Sequence, residues 1–134
     1  MADLLHQVNR MIRRQAQVDA GPDGVTGSQM RAMRVLAGSV EPMRMSELAV
    51  QLGIARRSAT SVVDELEKSG VVERIDDVCD RRAVGVRLTA LGQAAIADAR
   101  RRRRSAADRV LAVLDEADLK RLKMLLQRVV SDRN

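Results

Sequence analysis

Apolar residues recur at helical spacing along the first third of the chain. Over residues 3 to about 19 this spacing predicts an amphipathic helix, whose apolar face is Leu4, Leu5, Val8, Met11, Ile12 and Val18. In the following "VTGSQM", Thr26 can cap a second helix and Gln29 can reach back to it, which is the pattern of a capping box. The stripe predicted to be buried on this second helix is Met30, Met33, Leu36 and Ala37.

Two shorter apolar stretches meet at a glycine in "MSELAVQLGIARRSATSVVDELEKSGVV". The first consists of Leu48, Ala49 and Leu52, and the second of Val62, Val63 and Leu66. Gly53 lies between them and permits the left-handed backbone conformation that ends a helix, while Gly70 ends the second stretch. Two short helices joined by a tight turn of this kind predict a helix-turn-helix.

The segment after Gly70 changes to a strand pattern. "VVERI" and "AVGVRLT" are rich in β-branched residues and flank the polar "DDVCDRR", so they predict a two-stranded hairpin, or wing, with a charged tip. Beyond it, Thr89 can cap a long helix over residues 90 to 113, and Asp115 can begin a last helix. The apolar seam of that last helix is Leu119, Leu122, Leu125, Leu126 and Val129. We therefore expect a mainly α fold with a small β-hairpin wing, in a single domain covering residues 1–134.

The charge of the chain is basic and unevenly distributed. The net charge of +6 at pH 7 favours a polyanionic partner. Residues 1–43 carry five basic and four acidic side chains, residues 44–87 carry eight of each, and residues 88–134 carry eleven and six. Phe, Tyr and Trp are absent from the sequence, which removes the stacking platforms that bind single strands and RNA. A nucleic-acid partner is therefore expected to be double-stranded DNA.

The reactive side chains of the sequence argue against an enzyme. His6 and Cys79 are the only histidine and cysteine, so a nucleophile pair or a zinc site of ordinary composition cannot be assembled within one subunit. We expect no catalytic residue, no metal and no cofactor. A single cysteine excludes an internal disulfide, and the sequence shows neither a membrane-spanning stretch nor a secretory signal, so we expect a cytoplasmic protein.

Four motifs within residues 25–97 are specific in combination: "VTGSQMRAMRVL", "MSELAVQLGI", "SATSVVDELEKSGVVER" and "DDVCDRRAVGVRLTALGQA". Together they resemble the MarR family of winged helix-turn-helix transcription regulators. The resemblance implies a six-helix subunit in an obligate homodimer, with dimerisation helices in residues 1–24 and 90–134 and the winged helix-turn-helix lobe in residues 25–89. It also implies a repressor that reads a pseudo-palindromic DNA operator and responds to a small ligand.

The segment "ARRSATSVVDE", residues 55–65, would be the recognition helix of such a protein. The candidate DNA-binding residues in its N-terminal half are Arg56, Arg57, Ser58, Thr60 and Ser61. Either arginine can form a bidentate contact with guanine, and the hydroxyls can touch bases or phosphates. Two positions depart from the family pattern, because Ala55 stands where a capping Ser or Thr is frequent and Ser61 where a basic residue is frequent.

The tip of the predicted wing carries a second set of candidate DNA-binding residues. By the resemblance, Arg82 enters the minor groove, Asp80 holds its side chain, and Arg81 is available to a phosphate. A guanidinium suits this role because it is always charged and is attracted to the negative potential of a narrow groove.

An unbroken run of five arginines, Arg100 to Arg104, lies in the long helix after the wing. Because a helix turns by about 100° per residue, five consecutive side chains point around its whole circumference and cannot all face DNA. The apolar stripe passes through Arg102 or Arg103, whose stems we expect to be buried. The run is therefore predicted to serve mainly the dimerisation helices. Arg102 and Arg103 are candidate binding residues for a small anionic effector, and a phenolic effector is the other candidate because many family members bind one.

One alternative function class stays open alongside the DNA-binding regulator. The charge of residues 44–87 is balanced, which is also typical of a winged-helix module that contacts other proteins without reading a specific DNA sequence. Binding to duplex DNA separates the two classes, since specific DNA binding weakens steeply with salt.

Overall fold

The computed structural model describes residues 1–21, 25–76 and 84–132. These residues form six helices and three strands, in the order α1 (Ala2–Ala20), α2 (Gly27–Ala37), β1 (Met43–Arg44), α3 (Met45–Leu52), α4 (Arg56–Lys68), β2 (Val72–Asp76), β3 (Val84–Leu88), α5 (Ala90–Leu111) and α6 (Glu116–Ser131). The backbone divides into two compact units, one made of residues 1–21 and 101–134 and the other of residues 22–100. Among the described helices, none has the length and apolarity needed to cross a membrane.

The helix starts predicted from capping residues are confirmed. At the start of α2, the Gln29 amide donates to Thr26 Oγ1 at 3.3 Å, and the Thr26 amide donates to Gln29 Oε1 at 2.9 Å. This reciprocal pair is the capping box, which satisfies two of the amides left unpaired at a helix start. At the start of α6, the Asp118 amide donates to Asp115 Oδ1 at 2.8 Å, so Asp115 caps that helix.

The helix-turn-helix is confirmed as α3 and α4. Gly53 follows α3 with φ 65° and ψ 35°, the left-handed conformation that a side chain would disfavour. After this residue the chain turns back, and the Ile54 amide donates to the Ala49 carbonyl at 3.1 Å. This bond satisfies one of the last carbonyls of α3 and directs the chain into α4.

The predicted hairpin is confirmed and is part of a larger sheet. β2 and β3 pair antiparallel, with Val72 opposite Leu88 and Asp76 opposite Val84. The sheet order is β1-β3-β2, because β1 pairs antiparallel with the other edge of β3 and places Met43 opposite Val86. β1 was not predicted from the sequence, since a two-residue strand has no pattern of its own and exists only through this pairing.

A single hydrophobic core holds the second unit together. It draws on the three helices α2 to α4, on all three strands and on the start of α5. The largest fully buried side chains are Met33, Leu48, Val63, Leu66, Val72 and Val86. The helix-turn-helix and the sheet therefore share one core, and neither buries its apolar face without the other.

The sheet is joined to α5 by a close approach of two backbone segments. Thr89 Oγ1 donates to the Gly70 carbonyl at 2.7 Å and accepts the Gly92 amide at 3.1 Å, which confirms Thr89 as the cap of α5. The Thr89 amide donates to the Val71 carbonyl at 3.1 Å. A Cβ atom on Gly92 would lie only 2.0 Å from that same carbonyl oxygen, so the junction requires glycine at this position.

The first unit, made of α1, the second half of α5 and α6, has little interior. Within residues 1–21 and 101–132, Ala106 is the only buried residue. Polar contacts connect α1 to α5, since Arg103 Nη2 donates to Asn9 Oδ1 at 3.1 Å and Arg109 forms an ion pair with Asp19. Large apolar side chains of this unit are exposed, among them Leu4, Leu5, Met11, Val18, Met124, Leu125, Leu126, Val129 and Val130.

We expect Gly92→Ala to lower the free energy of unfolding by about 2 kcal/mol, because the new Cβ would force the Val71 backbone and α5 apart. Urea unfolding followed by circular dichroism measures this change. Gly27→Ala is the matched control, since a Cβ on Gly27 meets no heavy atom within 4 Å and lies in the first turn of α2. The control should be as stable as the wild type or slightly more so. Equal losses in both variants would contradict the close approach.

Candidate nucleic-acid interface

Helix α4 has one buried face and one exposed face. Ala59, Val63 and Leu66 point into the core and are 0%, 0% and 1% exposed. At 3.6 residues per turn, Arg57 and Ser61 lie on the opposite side of the helix, and both are exposed. The core therefore fixes which side chains of α4 face outward, and these include two of the predicted DNA-binding residues.

The N-terminal end of α4 is electropositive. Arg56, Arg57 and Ser58 form its first turn and are all exposed. The helix dipole adds partial positive charge at this end, where the first amides have no partner within the helix. Ala55 occupies the capping position and offers no side-chain acceptor, as expected from the sequence. The arrangement suits an approaching anion such as a phosphate.

The two hydroxyl groups predicted to reach DNA bond to the backbone of their own helix. Thr60 Oγ1 donates to the Arg56 carbonyl at 3.0 Å, and Ser61 Oγ donates to the Arg57 carbonyl at 3.2 Å. Each hydroxyl proton is therefore engaged, while the oxygen lone pairs remain able to accept a hydrogen bond. Ser61 is exposed and Thr60 is half-buried, so Ser61 is the more accessible of the two.

The acidic residues of α4 lie in its C-terminal half and are paired with cations. Arg74 on β2 donates to Asp64 Oδ1 at 2.6 Å and forms a second ion pair with Glu67. Lys68 Nζ lies 2.9 Å from Glu65 Oε1. The hydrogen bond with Asp64 raises the pKa of Arg74, although burial of the guanidinium acts in the opposite direction. The basic and acidic halves of α4 are thus separated along its length.

The strands of the wing are described, but its tip is not. Arg87 Nε on β3 lies 2.7 Å from Glu73 Oε1 on β2, as the register of the two strands requires. Asp80, Arg81 and Arg82, predicted to act at the minor groove, lie outside the described residues, and so does Cys79. Their roles stay predictions.

The five arginines of α5 differ in exposure as the helical geometry predicts. Arg102 and Arg103 are half-buried, whereas Arg100, Arg101 and Arg104 are exposed. Arg103 donates to Asn9 of α1, so part of its hydrogen-bonding capacity is used within the first unit. Arg102 and Arg103 belong to that unit, while the candidate residues on α4 belong to the other.

Arg74 is the residue of this region that the sequence analysis missed. It lies within the strand pattern "VVERI", in which an arginine is expected to be an exposed residue without a specific partner. Its partners lie seven and ten residues earlier in the chain, on a different element. Strand alternation could have indicated the face it occupies, because Arg74 shares a face with Val72, which is buried. Within the described ranges, no group of three or more potential ligands that could hold a metal is present.

A helix-turn-helix followed by a small antiparallel sheet defines a winged helix-turn-helix protein. The MarR family model matches residues 23–83 of this chain. The HTH-type transcriptional repressor Rv2887 from Mycobacterium tuberculosis is 30% identical over 129 residues, which cover 96% of this chain and 92% of that protein. The chain therefore belongs to the MarR family of winged-helix transcription regulators.

Solved structures agree with this assignment. The crystal structure of the transcriptional regulator Tm0710 from Thermotoga maritima superimposes with a TM-score of 0.83 at 25% identity, covering 99% of this chain and 94% of that one. A mutant of MepR from S. aureus bound to an oligodeoxyribonucleotide has the same fold, with a TM-score of 0.74 at 17% identity and coverage of 99% and 97%.

We expect Ala55→Ser to raise the free energy of unfolding by about 1 kcal/mol, because a hydroxyl at the cap can accept from the first amides of α4. The backbone at Ala55, with φ −63° and ψ 145°, is close to that of the capping residue Thr26, with φ −62° and ψ 162°. Thr26→Ala removes an existing cap, and its free energy of unfolding should fall by about as much. Urea unfolding measures both. A destabilised Ala55→Ser would show that the start of α4 cannot accept a cap.

Proposed function

We propose that this protein is a transcription repressor that binds a pseudo-palindromic duplex as a homodimer in the cytoplasm. The observation that carries the proposal is the first turn and a half of α4, where both arginines are exposed and where Arg57 and Ser61 lie opposite a face buried in the core. A recognition helix presents its N-terminal residues to base edges in the major groove in this way. Two relatives support the proposal, since Rv2887 is named a repressor and the MepR mutant is bound to an oligodeoxyribonucleotide.

In this proposal α4 reads the bases. Arg57 lies at the centre of the exposed face and makes a bidentate contact with the O6 and N7 atoms of guanine. Arg56 and Ser58 lie on either side of that face and contact base edges or phosphates. Ser61 and Thr60 accept hydrogen bonds from DNA or make van der Waals contacts with it, because both hydroxyls donate their protons to backbone carbonyls of α4.

The wing adds a contact in the adjacent minor groove. β2 and β3 are paired over five residues each and lead to the tip that carries the candidate residues. We assign Arg82 to the minor groove, Asp80 to the support of its guanidinium, and Arg81 to a phosphate, following the family pattern. A narrow A·T-rich groove would favour this contact through its negative potential.

The dimer in this proposal forms through residues 1–24 and 90–134. Neither α1 nor α6 buries a single residue in the isolated chain, which leaves their apolar seams to a partner. An open groove of about 580 Å³ runs between the end of α5 and α6, lined mainly by Leu111, Leu119, Leu122, Leu126 and Val130. A second copy supplies matching leucines and valines, so the two seams can bury one another.

A small effector completes the proposal. Arg102 and Arg103 are half-buried, and a guanidinium in such surroundings attracts an anion more strongly than an exposed one does. Arg103 already donates to Asn9 on α1, so a carboxylate or phenolate bound there would compete with that hydrogen bond. Its binding would alter the contact between α1 and α5.

We expect Arg57→Ala to weaken binding to the operator by about tenfold or more, which is the cost of one bidentate base contact. The operator is a genomic fragment retained by the wild-type protein, and gel shifts at about 50 and 200 mM NaCl measure its affinity. Arg82→Ala should also weaken binding, through the wing. Lys120→Ala is the control for charge, because Lys120 is exposed on α6 on the side opposite its leucines and should leave affinity unchanged.

The outcomes of this experiment separate the two function classes. Retention of one genomic duplex in preference to the others supports the regulator, and a steep loss of its affinity at high salt shows that contacts with phosphates contribute. If the wild type retains no duplex from the genome, the DNA-binding proposal is wrong and a protein partner takes its place.

We expect Leu125→Asp to convert the dimer to a monomer, because a carboxylate would have to be buried without a partner in the seam. Sedimentation equilibrium gives the mass directly. Val50→Asp makes the same chemical change at a valine that is 78% exposed on α3, outside the dimerisation helices, and should leave the mass unchanged. A wild-type chain that sediments as a monomer would refute the dimer.

A further inference from the structure

Arg74 occupies an unusual place in the sheet. Within β2, side chains alternate between two faces, and Arg74 falls on the inner face with the buried Val72. The register places Arg74 opposite Val86, which is 1% exposed. The Arg74 side chain is only 29% exposed, and it extends from the margin of the core to α4.

The Arg74 guanidinium binds two carboxylates of α4. Nη2 donates to Asp64 Oδ1 at 2.6 Å, and Nη1 donates to Glu67. These two carboxylates are three residues apart, which places them as neighbours on one side of the helix. The buried face of α4 sets its overall rotation, and two contacts three residues apart on one side of the helix add a restraint against small rotations about its axis. We call this arrangement the Arg74 bridge.

We propose that the Arg74 bridge positions the recognition helix relative to the wing, so that Arg74 is a positioning residue for sequence-specific DNA reading. The inference rests on the proposed function. Rotation of α4 would re-aim Arg57 and Ser61, which lie on the outward face of the same helix. Base readout depends on such alignment, while attraction to phosphates depends mainly on charge. The bridge therefore acts on specificity more than on overall affinity.

The bridge makes a small contribution to folding. Its acidic side chains are 48% and 41% exposed, and ion pairs at such exposure stabilise a protein little. The buried core holds α4 against the sheet without it. Loss of the bridge should therefore be visible in DNA discrimination while the unfolding transition stays close to that of the wild type.

Two variants distinguish positioning from simple charge. The bridge contains one guanidinium and two carboxylates, a net charge of −1. Arg74→Gln changes this charge to −2, and Arg74→Gln with Asp64→Asn returns it to −1 without restoring the bridge. Arg87→Gln is the matched control, because Arg87 is an arginine of the same sheet whose ion pair with Glu73 stays within the sheet.

The experiment compares specific with non-specific DNA binding. The wild-type protein selects a duplex from a random pool, and a scrambled duplex of equal composition is the non-specific probe. Fluorescence anisotropy at one salt concentration gives the Kd of the scrambled duplex divided by the Kd of the selected duplex, and this ratio measures discrimination. We expect Arg74→Gln to lower this ratio by about tenfold, the size of one misplaced base contact. The double variant should stay equally low, and Arg87→Gln should keep the wild-type ratio.

Several results would overturn the proposal. Recovery of the wild-type ratio in the double variant would show that the effect comes from net charge. An equal loss of the ratio in Arg87→Gln would show that removing any positive charge from the sheet has the same effect. If Arg74→Gln fails to fold, Arg74→Lys is used in its place, since an ammonium keeps the positive charge but lacks the forked pair of donors that binds two carboxylates at once. A wild-type ratio in Arg74→Lys then refutes the bridge. Failure of the wild type to select any duplex would refute the proposed function itself, whereas selection with unaltered ratios in the Arg74 variants refutes this inference alone.

Discussion

Burial of one face of α4 links the helix-turn-helix to the sheet and sets which of its residues face outward. Ala59, Val63 and Leu66 anchor this helix in a core that it shares with α2, α3 and the sheet. Because the same helix must also carry the outward residues, its rotation is set by packing, and the polar face follows from the apolar one. The wing depends on this core as well, since the inner face of its strands closes one side of it. A change in core packing would therefore reach the outer face of α4.

The two units differ in how far they satisfy their own apolar surface. The unit with the helix-turn-helix encloses a closed core, whereas the unit with α1 and α6 leaves its seams exposed. Contiguous exposed apolar surface is typical of a protein interface, which is why the proposed homodimer is assigned to this unit. Polar contacts between α1 and α5, such as Arg103 with Asn9, connect the helices of this unit. The proposed self-association and the proposed DNA reading are thereby assigned to separate parts of one small chain.

The positions of the positive charges on α4 and α5 matter more than the net charge of the chain. Five consecutive arginines lie in α5, yet helical geometry spreads them around the helix and half-buries two of them. On α4, fewer cations stand at the positive end of the helix dipole, and its carboxylates are held by Arg74 and Lys68. Local arrangement, more than the number of charges, therefore makes the N-terminal end of α4 basic.

Local sequence patterns were enough to predict the six helices, the helix-turn-helix and the hairpin, because periodicity, the caps at Thr26, Thr89 and Asp115, and the turn at Gly53 are local properties. It also predicted the outward arginines of α4, since the apolar stripe leaves them no other direction. Three features come from long-range packing: Met43 and Arg44 form a strand, Gly92 must be a glycine, and Arg74 contacts α4. Each of these depends on a partner distant in the chain, whose position no local pattern contains.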